Sequence, residues 1–231
     1  MIAHGSGSTA DFVRRAFGRA LRAAGYDLVT WDDSTGDVHV VADRLAYLAA
    51  HNTARLVGGI SLGAHAAAWV AAAQNDLDGV LLALPAWTGP PGSTAARSGH
   101  AAESLARDGL ERTLSRLSNG GWVGDELVRA WPAHGEDAVV AALRRTAASP
   151  APTLDGLARV AAPVGIAAFV DDVFHPLVVA EEWRDALPRA ALRTMRLADA
   201  AADRGIVGQG AVDAWRQAVG QPPSPPASAP R

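Results

Sequence analysis

Cysteine and lysine are both absent from this 231-residue chain; all 21 of its basic residues are arginine. The first absence excludes disulfides, thiolate metal sites and a cysteine nucleophile. The second excludes Schiff-base chemistry on a lysine amine. Aromatic residues make up only 6% of a chain that is 49% hydrophobic, so its core must be built mainly from Ala, Val and Leu. A formal charge of −3 gives no electrostatic case for nucleic acid or an anionic membrane. No apolar run approaches the length of a membrane span. Met1 leads directly into Ile2-Ala3-His4-Gly5, without a basic or apolar leader, so a cytoplasmic protein is expected. No His, Asp or Glu cluster has ligand spacing, so neither a metal nor an organic cofactor is expected. The expected partner is a small-molecule substrate or ligand, and the oligomeric state is open.

What is present alternates. Ile2–Ala3 reads as a strand stub, Asp11–Ala24 as an amphipathic helix and Tyr26–Trp31 as a strand. Val40–Ala50 is helical, Arg55–Ile60 a strand, Leu62–Gln74 a helix and Gly79–Leu84 a buried strand stopped by Pro85. Strand signals then vanish until Pro152. Ala101–Leu117, Asp125–Trp131 and Glu136–Ala147 read as helices separated by glycine-rich breaks. Alternation resumes with a strand at Pro163–Val170, a helix at Pro176–Leu187, a strand at Ala191–Leu197 and a helix at Gln209–Val219. The pattern predicts an α/β fold with a mostly parallel sheet. Its core comprises residues 1–84 and 153–220, with a helical insertion at 85–152 and a disordered proline-rich tail at 221–231.

Gly59-Ile60-Ser61-Leu62-Gly63 is the pattern with most chemical content. It lies between an apolar strand and an alanine-rich helix, the context in which G-x-S-x-G forms a nucleophile elbow. Two further joints accompany it: His4-Gly5-Ser6-Gly7-Ser8 after the first strand stub, and Asp171-Asp172-Val173-Phe174-His175-Pro176 after the strand at 163–170.

Together these joints resemble the α/β-hydrolase family, in its serine esterase and lipase-like form, over nearly the whole chain to Gly220. The first two strands of that family are missing here. The resemblance implies acyl transfer, with Ser61 as nucleophile, Asp172 as the acid that orients an imidazole, and the backbone N–H groups of Ser6 and Leu62 as oxyanion-hole donors. Asp172 is preferred to Asp171 because only Asp172 has proline four residues on. His4 is implied to brace the oxyanion loop, and His65 to pack beneath the elbow.

The family's histidine belongs in the loop after the last strand, which is expected here from Ala198 to Gly208 and contains none. Arg204 stands in its place. Arginine stays protonated and cannot act as a general base, so an Arg204–Asp172 ion pair is expected, leaving Ser61 unactivated. Three histidines are candidates to substitute: His175, whose backbone is expected to start the next helix rather than face Ser61, and His100 and His134 from the insertion. Trp87 and Trp122 fall near the expected pocket. Three functional readings follow. The first is a serine hydrolase of small esters, thioesters or related acyl substrates with an atypical triad. The second is a catalytically silent relative that binds a small carboxylate ligand through Arg204 and the oxyanion loop. The third is a dinucleotide-binding protein, because Gly5-Ser6-Gly7-Ser8-Thr9-Ala10 also satisfies G-x-G-x-x-A, with Asp32-Asp33 at the distance of a ribose-binding acid.

Overall fold

A computed structural model describes residues 1–220; the expectation for the tail at 221–231 lies outside them. Among the described residues five strands form one sheet: β1 (Ile2–Ala3), β2 (Leu56–Ile60), β3 (Gly79–Ala83), β4 (Val164–Phe169) and β5 (Ala190–Met195). Their spatial order equals their sequence order, and every pairing is parallel. Each crossover therefore carries helices, as parallel neighbours require. These are α1 (Ala10–Ala23) and α2 (Val38–His51) before β2, α3 (Leu62–Ala73) before β3, and α9 (Leu177–Ala186) before β5; α10 (Leu197–Ala202) and α11 (Gly205–Val219) follow the sheet.

Side chains alternate between two cores. Val164, Ile166 and Ala168 of β4 join α2, α3 and α9 on one face, whereas Ala167 and Phe169 join α1 and α11 on the other. Both faces are thus covered, which is why β2, β3 and β4 are buried along their whole length. Between β3 and β4 the chain leaves the sheet to form α4 (Ser93–Asp108), α5 (Leu110–Leu117), α6 (Gly121–His134), α7 (Glu136–Ala148) and the single turn α8 (Leu154–Leu157). The inserted helices carry a small core of their own around Leu105, Trp131, Val139 and Leu143.

Three expectations need correction. Tyr26–Trp31 forms no strand: its ladder contact with β1 is the Ile2 N–H to the Val29 carbonyl, and a two-residue neighbour offers too little edge to extend it. The helix expected over 101–117 is two helices, broken at Gly109, whose φ of 81° no helical residue adopts. The segment at 198–208 is not a loop but most of α10 and the first turn of α11, with Arg204 at the junction.

Candidate active site

Ser61 sits at the end of β2 and immediately before α3, with φ 55° and ψ −117°. For a residue with a Cβ this conformation costs about 1–3 kcal/mol, and the surroundings must hold it. They do so through glycine. A Cβ on Gly59 would stand 2.1 Å from the Gly63 carbonyl carbon, and one on Gly63 would stand 2.5 Å from the Ala3 carbonyl oxygen. The strand and helix can approach this closely only without those side chains. The Ser61 N–H donates to the Ala83 carbonyl at 2.9 Å, which fixes the turn to β3.

The acid loop follows β4. One oxygen of Asp172 accepts the N–H groups of Phe174 at 2.8 Å and His175 at 3.3 Å, closing a tight turn that carries the imidazole back over the carboxylate. Nδ1 of His175 then lies 2.7 Å from the other Asp172 oxygen, and Nε2 lies 3.0 Å from the Ser61 hydroxyl oxygen. Burial would push the Asp172 carboxyl up. The His175 ring, through its hydrogen bond and its charge, and the two N–H donors outweigh that and hold the carboxyl below its ordinary value. An ionised carboxylate accepts only, so Nδ1 carries the proton and Nε2 presents a lone pair to the Ser61 hydroxyl.

This arrangement corrects two expectations. The backbone of His175 does precede α9, yet the turn directs its side chain to Ser61. Arg204 does not meet Asp172. It pairs with Glu126 of α6 at 3.1 Å and lies over the Trp122 ring, 4.8 Å from its centroid. Glu126 is also held by a two-pronged contact from Arg15 of α1, at 2.6 and 2.5 Å. Trp122 donates its indole N–H to the Leu197 carbonyl and packs on Phe12 and Phe169. Arg204 therefore fastens the inserted helices to the core. Burial pushes Glu126 up, but the two arginines more than offset this and hold it below its ordinary value. A depressed carboxyl stabilises the fold fully above the ordinary glutamate value of about 4.3, and that contribution is lost as pH falls through the folded value. Glu126→Gln should thus lower unfolding free energy by about 2 kcal/mol at neutral pH, by leaving two arginines short of a counter-charge. Urea unfolding at several pH values should show this deficit shrinking toward acid.

His100 is exposed on α4 and makes no hydrogen bond to Ser61. The ring of His134 reaches the Ser8 carbonyl instead, at 3.1 Å. His65 is fully buried, takes the Ala86 N–H on Nε2 and packs edge-on against Trp87; burial, with a smaller effect from His175, pushes its pKa down to about 3, so it stays neutral at working pH. Burial also pushes His4 down. Its Nε2 accepts the Asp33 N–H, and the protonated Nδ1 donates to the Gly5 carbonyl, so the ring pins the loop ahead of Ser6.

That loop abuts the elbow, because a Cβ on Gly5 would lie 3.1 Å from Cβ of Ser61. Among the described residues, neither the Ser6 nor the Leu62 N–H is taken by another protein group. The sequence gives no sign of what holds the loop from above. The Thr146 hydroxyl of α7 lies 2.6 Å from the Ser6 hydroxyl, and the indole nitrogen of Trp131 on α6 faces Gly7. No local pattern signals these contacts, which span more than 120 residues of sequence. The N-terminus of α1 is filled as well: the Asp32 carboxylate accepts the Ala10 N–H at 2.7 Å. A dinucleotide's pyrophosphate would need that place.

A cleft of about 480 Å³ opens between Trp69, Pro90, Pro91, Pro150 and Arg159, but none of Ser61, Asp172 or His175 lines it. Hydrogen bonding, not concavity, locates the chemistry here. Among the described residues there is no group of three or more His, Asp or Glu able to hold a metal, and no helix long and apolar enough to cross a membrane.

An all-parallel sheet with helices on both faces, an elbow after one strand and an acid loop after another describe a known architecture. Solved structures similar to this chain have the same fold. The fold is that of the α/β-hydrolases. A carboxylesterase of the thaumarchaeon Nitrososphaera gargenis aligns with a TM-score of 0.63 at 16% identity, over 85% of this chain and 80% of that one. An esterase of Thermogutta terrifontis aligns with a TM-score of 0.59 at 18% identity, over 84% and 79%. A lipase-esterase related protein of Clostridium acetobutylicum aligns at 0.60 and 14% identity, over 94% and 90%. No protein-family model matches the sequence, and no curated protein does.

Proposed function

We propose that this α/β-hydrolase-fold protein is a serine hydrolase of small esters, thioesters or related acyl compounds, with the triad Ser61, His175 and Asp172. One observation carries the proposal: a single imidazole bridges the two groups, 3.0 Å from the hydroxyl and 2.7 Å from the carboxylate. The esterases among the similar structures support it.

The chemistry follows from the tautomer. Nε2 of His175 takes the Ser61 proton as Oγ attacks the acyl carbon, and Asp172 stabilises the imidazolium that forms. The tetrahedral oxyanion accepts the unengaged N–H groups of Ser6 and Leu62. Collapse expels the alcohol or thiol, which takes the proton from Nε2, and leaves an acyl group on Ser61. Water, activated by the same nitrogen, then releases the acid. Helices α4–α7 serve as the cap, since Thr146 and Trp131 rest on the oxyanion loop.

The silent reading required Arg204 to be available to a ligand, and Glu126 occupies it. A fluorophosphonate serine probe tests the proposal. Wild-type protein should label at one residue, mapped to Ser61 by peptide mass, and Ser61→Ala should not label. Equal labelling of both would overturn it.

A further inference from the structure

The loop that delivers His175 also builds an apolar shelf. Val173, Phe174 and Val178 are 61%, 52% and 55% exposed, an unusual concentration for a chain so poor in aromatic residues. Phe174 is directly bonded to His175, and its backbone N–H is held by Asp172, which places residue 174 at the edge of the catalytic cluster. Above it stands Arg97 of α4, whose guanidinium carbon is 6.0 Å from the Phe174 ring centroid. Among the described residues Arg97 forms no ion pair and no side-chain hydrogen bond, unlike Arg15 and Arg204, which share Glu126. An aromatic face positions the cation without neutralising it.

We propose that Phe174 and Arg97 form a recognition subsite for substrates whose acyl chain is apolar along its length and ends in an anion, such as a half-ester of a dicarboxylic acid. The chain lies on Phe174 and the distal carboxylate meets Arg97, while the scissile carbonyl sits at Ser61. This rests on the hydrolase reading given above. Guanidinium suits the task because it offers paired donors to a carboxylate while its plane rests on the ring.

The test compares monomethyl adipate with methyl hexanoate, esters of equal chain length that differ in the terminal carboxylate. Wild-type kcat/KM should favour the adipate half-ester about fivefold, the factor expected of one ion-pair contact at an exposed guanidinium. Arg97→Gln should bring the ratio close to one, Arg97→Lys should restore part of it, and added salt should reduce it. A ratio near one in the wild type, or one that Arg97→Gln leaves intact, overturns the subsite while the hydrolase stands. If neither ester turns over and the fluorophosphonate probe does not label Ser61, the hydrolase reading is what has failed. Calorimetry of monomethyl adipate with Ser61→Ala then decides the subsite by itself. Heat that disappears on adding Arg97→Gln supports it, and no heat with Arg97 present overturns it.

Discussion

His175→Ala should lower kcat/KM for ester hydrolysis by about six orders of magnitude, leaving the residual rate that oxyanion donors and binding alone provide. The size follows from position. Nε2 is the hydrogen-bond partner of the Ser61 hydroxyl, and the other histidines are committed elsewhere or away from it: His65 to the Ala86 N–H, His4 to Asp33 and Gly5, and His134 to Ser8. A serine hydroxyl without a base is a poor nucleophile at neutral pH. Its loss also removes the hydrogen bond that holds the mostly buried Asp172 carboxylate, so a modest fall in thermal stability should accompany the kinetic loss. Steady-state kinetics with a chromogenic acetate ester, alongside a melting curve, separates the two effects. Retention of more than a tenth of the activity would mean that another group takes the proton.

The second large effect is structural. Gly59→Ala should abolish folding or lower unfolding free energy by more than about 4 kcal/mol, beyond the usual range for one substitution. The added methyl would stand 2.1 Å from the Gly63 carbonyl carbon and 2.2 Å from its oxygen, both main-chain atoms at the start of α3. Relief requires β2 and α3 to separate, and both are buried over most of their length. By contrast, a methyl added at Gly92 would meet nothing within 4 Å, and φ there is −123°, so Gly92→Ala is the matched control. Circular dichroism and urea titration of the two variants measure the difference.

The fold and the elbow are legible in the sequence for one reason: both are local. Short apolar runs mark β2, β3 and β4, and the glycines at 59 and 63 mark the strained turn because close main-chain approach leaves no other residue type. The acid loop is half legible. Asp172 stands out through the proline four residues on, whereas His175 looks like a residue starting a helix. The missing signal is in the turn itself: aspartate accepting the N–H groups two and three residues on folds the chain back, so a histidine three places after it returns to the carboxylate. Such a turn is readable from Asp-x-x-His-Pro once the carboxylate is treated as a backbone cap as well as a catalytic acid.

Arg204 illustrates the opposite limit. Its position after the last strand points to the site, but its partner, Glu126, is 78 residues away on α6, and only three-dimensional packing brings them together. The Thr146–Ser6 contact and the Arg97–Phe174 stack are equally remote in sequence. Contacts between the inserted helices and the core depend on how long connections place whole helices, which no periodicity encodes.

The most direct measurement is a crystal structure of the protein after reaction with a fluorophosphonate. Phosphorus should be bonded to Oγ of Ser61, its oxygen should accept the N–H groups of Ser6 and Leu62, and Nε2 of His175 should lie within hydrogen-bonding distance with Asp172 still on Nδ1. Phosphorus on any other residue, or a different histidine beside Ser61 with His175 turned to solvent, would contradict the account.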